Sequence, residues 1–288
     1  MTSNALIAGA RRDFHRMLLS TGTLTVDAQG IPSNADGNNR TSVEWAKAIT
    51  AALDAGTTTA RAAGQTSGNA FEAAVASYLT ATFPALTELR PGDWDIRQIT
   101  GRSAAGVAQF AQYEHLADLD EAVRANSALR ASLGNAYVVA PDVIIARRPM
   151  TDDELNRSVP LVDATVARHA ELRSVVRPAL TLHAVISCKW TLRSDRAQNA
   201  RTEALNLIRN RKGHLPHIVV VTGEPTLSRI SSLALGTGDI DAVYHFALDE
   251  LEAAVRAGND DDHVALLDTM VSGRRLKDIS DLPLDLAV

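Results

Sequence analysis

Leu182-His-Ala-Val-Ile-Ser-Cys-Lys-Trp190 and, upstream of it, Tyr137-Val-Val-Ala-Pro-Asp-Val-Ile-Ile-Ala146 are the stretches on which the fold turns. Both are short, continuous and apolar, the pattern of strands buried on two faces in a sheet covered by helices. Two further runs of this kind, His217–Thr222 and Ala242–Phe246, alternate with helical periodicity over Asp195–Asn210, Pro225–Leu235 and Leu248–Ala257. Asp261–Lys277 reads as a final helix. Ahead of the strands, helix is expected over Ala5–Leu19, from a Ser42 cap to about Ala55, and over Ala70–Thr82, started by Asn69 or Ser67 and with Glu72 in its first turn. Glu114–Leu133 has helical character broken near Asn126. The polar segments Thr23–Arg40 and Ala60–Asn69 read as loops. These expectations describe an α/β fold with a central sheet flanked by helices and an N-terminal helical subregion. No repeat or long low-complexity linker divides the chain, so residues 1–288 are expected to form a single domain.

Composition bounds the function. The 288 residues are 45% hydrophobic and 22% charged, as in ordinary globular proteins. No stretch of apolar residues is long enough for a transmembrane helix, and Met1–Arg12 lacks the pattern of a signal peptide. A single cysteine forms no internal disulfide, which fits a reducing cytoplasm. The net charge of −5 opposes long-range steering toward nucleic acid, yet its distribution is uneven. From Lys189 to Lys212 there are seven basic residues against the two acids Asp195 and Glu203. From Asp249 to Asp262 the balance reverses, and that part is expected to face away from any nucleic acid.

Two apolar runs carry polar residues toward their ends. A carboxylate at Asp142 among Val139, Val143, Ile144 and Ile145 must be hydrogen-bonded, paired or metal-bound. Pro141 before it removes a ladder donor and favours a break in the strand. Strand alternation puts Ser187 and Lys189 on one face and Cys188 on the other. An aspartate and a lysine brought together at strand ends make a place where Mg²⁺, a water and a phosphodiester can meet. The Cys188 backbone carbonyl is a candidate oxygen ligand for such a metal, while its thiol reads as a small core group. Ser187 stands where many metal nucleases place a second acid, so another carboxylate has to reach the site. Glu203, 14 residues after Lys189, is one candidate and Glu72 is the other. Each feature also has a plainer reading: Pro-Asp is a common turn, and most acids are surface residues.

Arg193-Ser194-Asp195-Arg196 opens the helix that follows. Arginine can grip guanine O6 and N7 with two hydrogen bonds, and aspartate can accept from cytosine N4. The plainer alternative is a helix N-cap, with Ser194 or Asp195 capping and the arginines solvated.

With these residues in place, the chain resembles the NgoMIV-type restriction endonucleases of the PD-(D/E)xK nuclease superfamily over nearly its whole length. The resemblance implies a restriction-endonuclease-like core with a central mixed sheet, Mg²⁺-dependent hydrolysis of double-stranded DNA, and a GCCGGC site. Cutting after the first G would leave 5′-CCGG overhangs. It also implies a homotetramer of two dimers that binds two palindromic sites, and a cognate DNA methyltransferase in the same system. On this resemblance Asp142 would ligate Mg²⁺, Lys189 would be catalytic, and Ser187 and Cys188 would complete the motif. Glu203 would replace the acid missing at Ser187, with Glu72 in support. The Arg193-Ser194-Asp195-Arg196 segment would read the inner CCGG, and Asp36, Gln65 and Arg229 the outer G·C pair. The alternatives that remain at this point are a nuclease of the superfamily without sequence specificity, a DNA-binding regulator that no longer cuts, and a plain α/β scaffold.

Overall fold

The computed structural model describes residues 5–53, 64–99, 106–134, 139–236 and 238–288, without the side chains of residues 64–66 and 194. Six strands form one sheet in chain order: β1 (Trp94–Gln98), β2 (Val143–Arg147), β3 (Thr181–Lys189), β4 (His217–Thr222), β5 (Ala242–His245) and β6 (Leu276–Asp278). Pairing is antiparallel from β1 through β3 and parallel from β3 through β6, so the sheet is mixed. The helices are α1 (Leu6–Ser20), α2 (Arg40–Ala52), α3 (Gly64–Thr82), α4 (His115–Ala125), α5 (Ser127–Leu133), α6 (Asp152–Leu155), α7 (Ser194–Asn210), α8 (Leu227–Ala234), α9 (Leu248–Ala257), α10 (Asp261–Ser272) and α11 (Leu282–Asp285). Among the described residues no helix is long and apolar enough to cross a membrane.

β3 is the axis of the molecule. All its residues but the two ends are buried, as the unbroken apolar run requires when both faces are covered. Its two faces meet different helices. Val185 and Ser187 look toward Ala200, Ala204 and Leu207 of α7. On the other side Phe71 of α3 packs at a tilt against Trp190, just past the strand, with ring centroids 5.0 Å apart, and Trp190 meets Phe246 at 5.3 Å. Phe14 of α1 extends this aromatic cluster to Phe71 and Tyr78.

Several boundaries differ from expectation for physical reasons. Pro141 has no N–H to donate, so β2 starts at Val143, well inside the expected Tyr137–Ala146; residues 137 and 138 lie outside the described ones. The expected loop at Ala60–Asn69 is helical from Gly64 onward, so Ser67 and Asn69 lie within α3 and Glu72 sits well past its first turn. Helix α3 as a whole packs against α1 and β1, while its opening residues Gly64-Gln-Thr-Ser-Gly68 have weak helix preference, which hides its start from the sequence. Asn39, rather than Ser42, caps α2, accepting from the Ser42 N–H at 3.0 Å. The last helix stops at Ser272, because Arg274 takes a φ of 57° and turns the chain into β6. Asn126 breaks the 114–133 helix as expected, its side chain capping α5.

Candidate active site and DNA-facing surface

Register brings the acid and the lysine together. The β2–β3 ladder begins with Val143 opposite Ile186, so Asp142, one residue before the strand, stands across from Ser187. The Asp142 carbonyl accepts from the Ile99 N–H at 2.9 Å, which holds this turn against the end of β1. Asp142 Oδ2 then accepts from the Cys188 N–H at 2.7 Å, from Lys189 Nζ at 2.7 Å and from Ser187 Oγ at 3.5 Å. Among the described residues these bonds all converge on one oxygen and leave Oδ1 available to a further ligand.

Burial works to lower the Lys189 pKa, but the charge and hydrogen bond of Asp142, together with the charge of Glu203, outweigh it. Lys189 is therefore held above the ordinary lysine value and is an ammonium at neutral pH. The Cys188 thiol is pushed well up by burial, and the charges of Asp142 and Glu72 add to the effect. A thiol so held is a core group and no nucleophile, as expected.

The two further acids approach from opposite faces of β3. Glu203 on α7 lines a cavity of about 10 Å³ together with Ser187, Pro141 and Val185. It therefore borders the position of the missing acid. Glu72 on α3 accepts from Gln98 Nε2 at 2.7 Å, so the end of β1 orients it. Gln98 carries no signal in the sequence that marks it for this role. Among the described residues no three His, Cys, Asp or Glu side chains converge closely enough to cage a metal ion. The oxygen donors present (Asp142, the Cys188 carbonyl and carboxylates nearby) nevertheless suit a hard cation that keeps part of its water shell.

The neighbouring surface is built from α7, α8 and the loop before α2. Arg193 occupies the N-cap position of α7, and its side chain makes no capping bond. Arg193, Asp195 and Arg196 are all exposed, and Arg196 Nη1 donates to Thr191 Oγ1 at 2.9 Å. Arg229 on α8 pairs with Asp36 of the loop, both side chains 30% exposed. The hydrogen bond from Arg229 holds the Asp36 carboxyl below its usual value, and the Asn38 N–H and the charge of Arg193 assist. The three expected positions Asp36, Arg193 and Arg229 thus share one patch, while the side chains of Gln65 and Ser194 lie outside the described residues.

The buried Glu224, bonded to Arg229 and to the Leu192 N–H, was not among the expected residues. The same signal that singles out Asp142, an acid adjoining an apolar strand, is present in Val219-Val-Val-Thr-Gly-Glu224.

A family model described as "NgoMIV restriction enzyme" matches residues 14–288. The chain is also 52% identical over 285 residues to the Type II restriction enzyme NgoMIV of Neisseria gonorrhoeae, covering 99% of this chain and 100% of that relative.

Proposed function

The chain belongs to the NgoMIV restriction enzyme family and is a type II restriction endonuclease acting on double-stranded DNA, and from that premise we propose that it cuts GCCGGC after the first G, with Mg²⁺ as cofactor. The observation that carries the catalytic part is the convergence of Asp142, Lys189 and Glu203 at the ends of β2 and β3. The base sequence rests on the resemblance of Arg193-Ser194-Asp195-Arg196 and of Asp36, Gln65 and Arg229 to the family's reading residues.

Asp142 and the Cys188 carbonyl would hold the metal, with Glu203 and Glu72 as the carboxylates around it and Ser187 leaving the room that a second strand acid would fill. When bound, Mg²⁺ lowers the pKa of a water and offsets charge on the phosphate. Lys189, as an ammonium, donates a hydrogen bond that orients the attacking water or a phosphate oxygen. Attack on phosphorus in line with the leaving oxygen breaks the P–O3′ bond and gives a 3′-hydroxyl and a 5′-phosphate. Arg193, Asp195 and Arg196 would enter the major groove at the inner CCGG, and Arg229, buttressed by Asp36, would reach the outer pair.

Palindromic recognition calls for two-fold symmetry, and we place the active form as a homotetramer of two dimers that engages two sites. Exposed Val159, Leu161, Val166 and Val175 after α6 offer apolar surface that self-association would cover. We also assign residues 1–288 to one endonuclease domain working in the cytoplasm beside a cognate methyltransferase. The alternative of a regulator that no longer cuts falls to the full-length likeness to a restriction enzyme.

The experiment is digestion, with Mg²⁺, of a plasmid carrying two GCCGGC sites beside one with both sites scrambled. Cutting of the first alone is expected. Cutting of both would remove the proposed base reading, and cutting of neither would remove the catalytic assignment.

A further inference from the structure

Glu224 follows β4 in Thr222-Gly-Glu-Pro-Thr226, and its side chain is 0% exposed. A carboxylate taken wholly out of water needs close partners, and those partners identify what it holds. Oε2 accepts from the Leu192 N–H at 2.8 Å and from Arg229 Nη1 at 3.5 Å. Oε1 accepts from the Thr226 N–H at 3.1 Å, just ahead of α8. Leu192 is the residue before Arg193, so one partner lies at the root of the α7 reading segment. The other partner, Arg229, is the cation that meets Asp36 at the surface.

The backbone around Glu224 is fixed from both sides. Thr222 Oγ1 donates to the Lys189 carbonyl at 2.8 Å, and the Gly223 N–H reaches the same oxygen at 3.2 Å. Asn34 Nδ2 donates to the Gly223 carbonyl at 2.9 Å, which anchors the loop that carries Asp36. The strand exit at Lys189, the α7 reading segment and the Asp36–Arg229 pair therefore meet around one buried side chain.

We propose that Glu224 is a positioning residue for base readout, holding Arg229 and the start of α7 in one relative placement so that outer and inner base pairs are read in register. This rests on the assignment of Arg229 and of Arg193–Arg196 as base-contacting residues. A long arginine side chain left free must be ordered on binding, whereas one held by a buried carboxylate is ordered beforehand. An amide in place of the carboxylate has one acceptor oxygen. Whichever way it turns, its NH₂ faces a donor, either Thr226 N–H or the Leu192 and Arg229 pair.

The test compares cleavage of a GCCGGC duplex with that of an ACCGGT duplex, as a ratio of kcat/KM, for the unmodified enzyme, Glu224→Gln, Glu224→Asp, Arg229→Ala and the Glu224→Gln/Arg229→Ala double variant. Glu224→Asp keeps a charge in the pocket but shortens the reach to Arg229, so it reports on positioning even if the amide variant fails to fold. Both single Glu224 variants should lower the ratio roughly tenfold, the scale of one lost base contact. The double variant should discriminate no worse than Arg229→Ala alone, because Glu224 acts on the outer pair through that arginine. An unchanged ratio, an equal fall on both duplexes, or multiplicative losses in the double variant would overturn the proposal. Equal cleavage of both duplexes by the unmodified enzyme would instead defeat the base-reading assignment, and the proposal with it.

Discussion

Lys189 lies in a nearly buried place with its ammonium 2.7 Å from the Asp142 carboxylate. Lys189→Ala removes the ammonium that the proposed mechanism directs at the reacting phosphate, while Asp142 keeps the Cys188 N–H, so the turn itself should survive. Cleavage should fall by roughly 10²–10⁴-fold or more, with specific binding retained, in parallel assays of cutting and duplex binding. Arg193→Ala belongs to the same scale. It should cost about 1–3 kcal/mol at its own base pair, seen as relaxed preference there when each position of the site is varied in turn. Equal weakening at every position would make Arg193 a phosphate contact instead. Asp142, Ser187 and Lys189 are legible in the sequence because polar residues interrupt or close apolar runs. Glu203 and Glu72 are less so, since an acid on a helix looks the same whether it faces water or a site. Glu224 carries the same mark as Asp142, an acid adjoining the apolar run Val219–Val221, but its partners, the Leu192 backbone and the Arg229 side chain, become visible only once the chain folds.

The β3–β4 exits form the element on which the site depends. A Cβ at Gly223 would come within 2.5 Å of the Trp190 ring and 2.9 Å of its carbonyl. Gly223→Ala should therefore force the two strand exits apart and destabilise the fold by about 1–3 kcal/mol, measured by denaturant unfolding. Unchanged stability would mean that Trp190 moves freely, which its packing between Phe71 and Phe246 opposes. The four central strands and α9 are readable from continuous apolar runs and clean helical periodicity. β1 is not, because Trp-Asp-Ile-Arg-Gln is a short edge strand with no continuous apolar run. β6 has three residues, too few for a strand pattern to stand out, although Gly273 just past Ser272 is a stop signal that shortens the expected helix. The start of α3 is hidden for the opposite reason: its first residues are small and polar, with weak helix preference.

At the scale of the whole molecule, Arg11 on α1 bonds Glu250 at 2.7 Å and Asp278 at 2.8 Å, tying the N-terminal helix to α9 and the last strand. Burial also holds His183 and His245 at about 4, below the ordinary value of 6.5. Both are neutral in the fold at pH 7, whereas in the unfolded chain they gain protons as the pH falls through 6.5. Their contribution is thus complete above about pH 6.5 and is lost as the pH drops toward 4. The melting temperature should fall by at least a few degrees between pH 7 and pH 5; a flat profile would mean that these rings reach water. Of the seven basic residues from Lys189 to Lys212, Lys189, Arg193 and Arg196 lie at or just before the start of α7, beside the proposed reading surface, whereas Arg209, Arg211 and Lys212 lie at its far end, so the proposed DNA-facing surface is locally basic despite the net charge of −5. The central claim, that this surface reads GCCGGC for the Asp142–Lys189 site to cut, is tested most directly on a pool of duplexes randomised over six base pairs. Sequencing of the cut ends should return GCCGGC, broken after the first G with 5′-CCGG overhangs. Ends lacking the central CCGG, or broken at another bond, would contradict it.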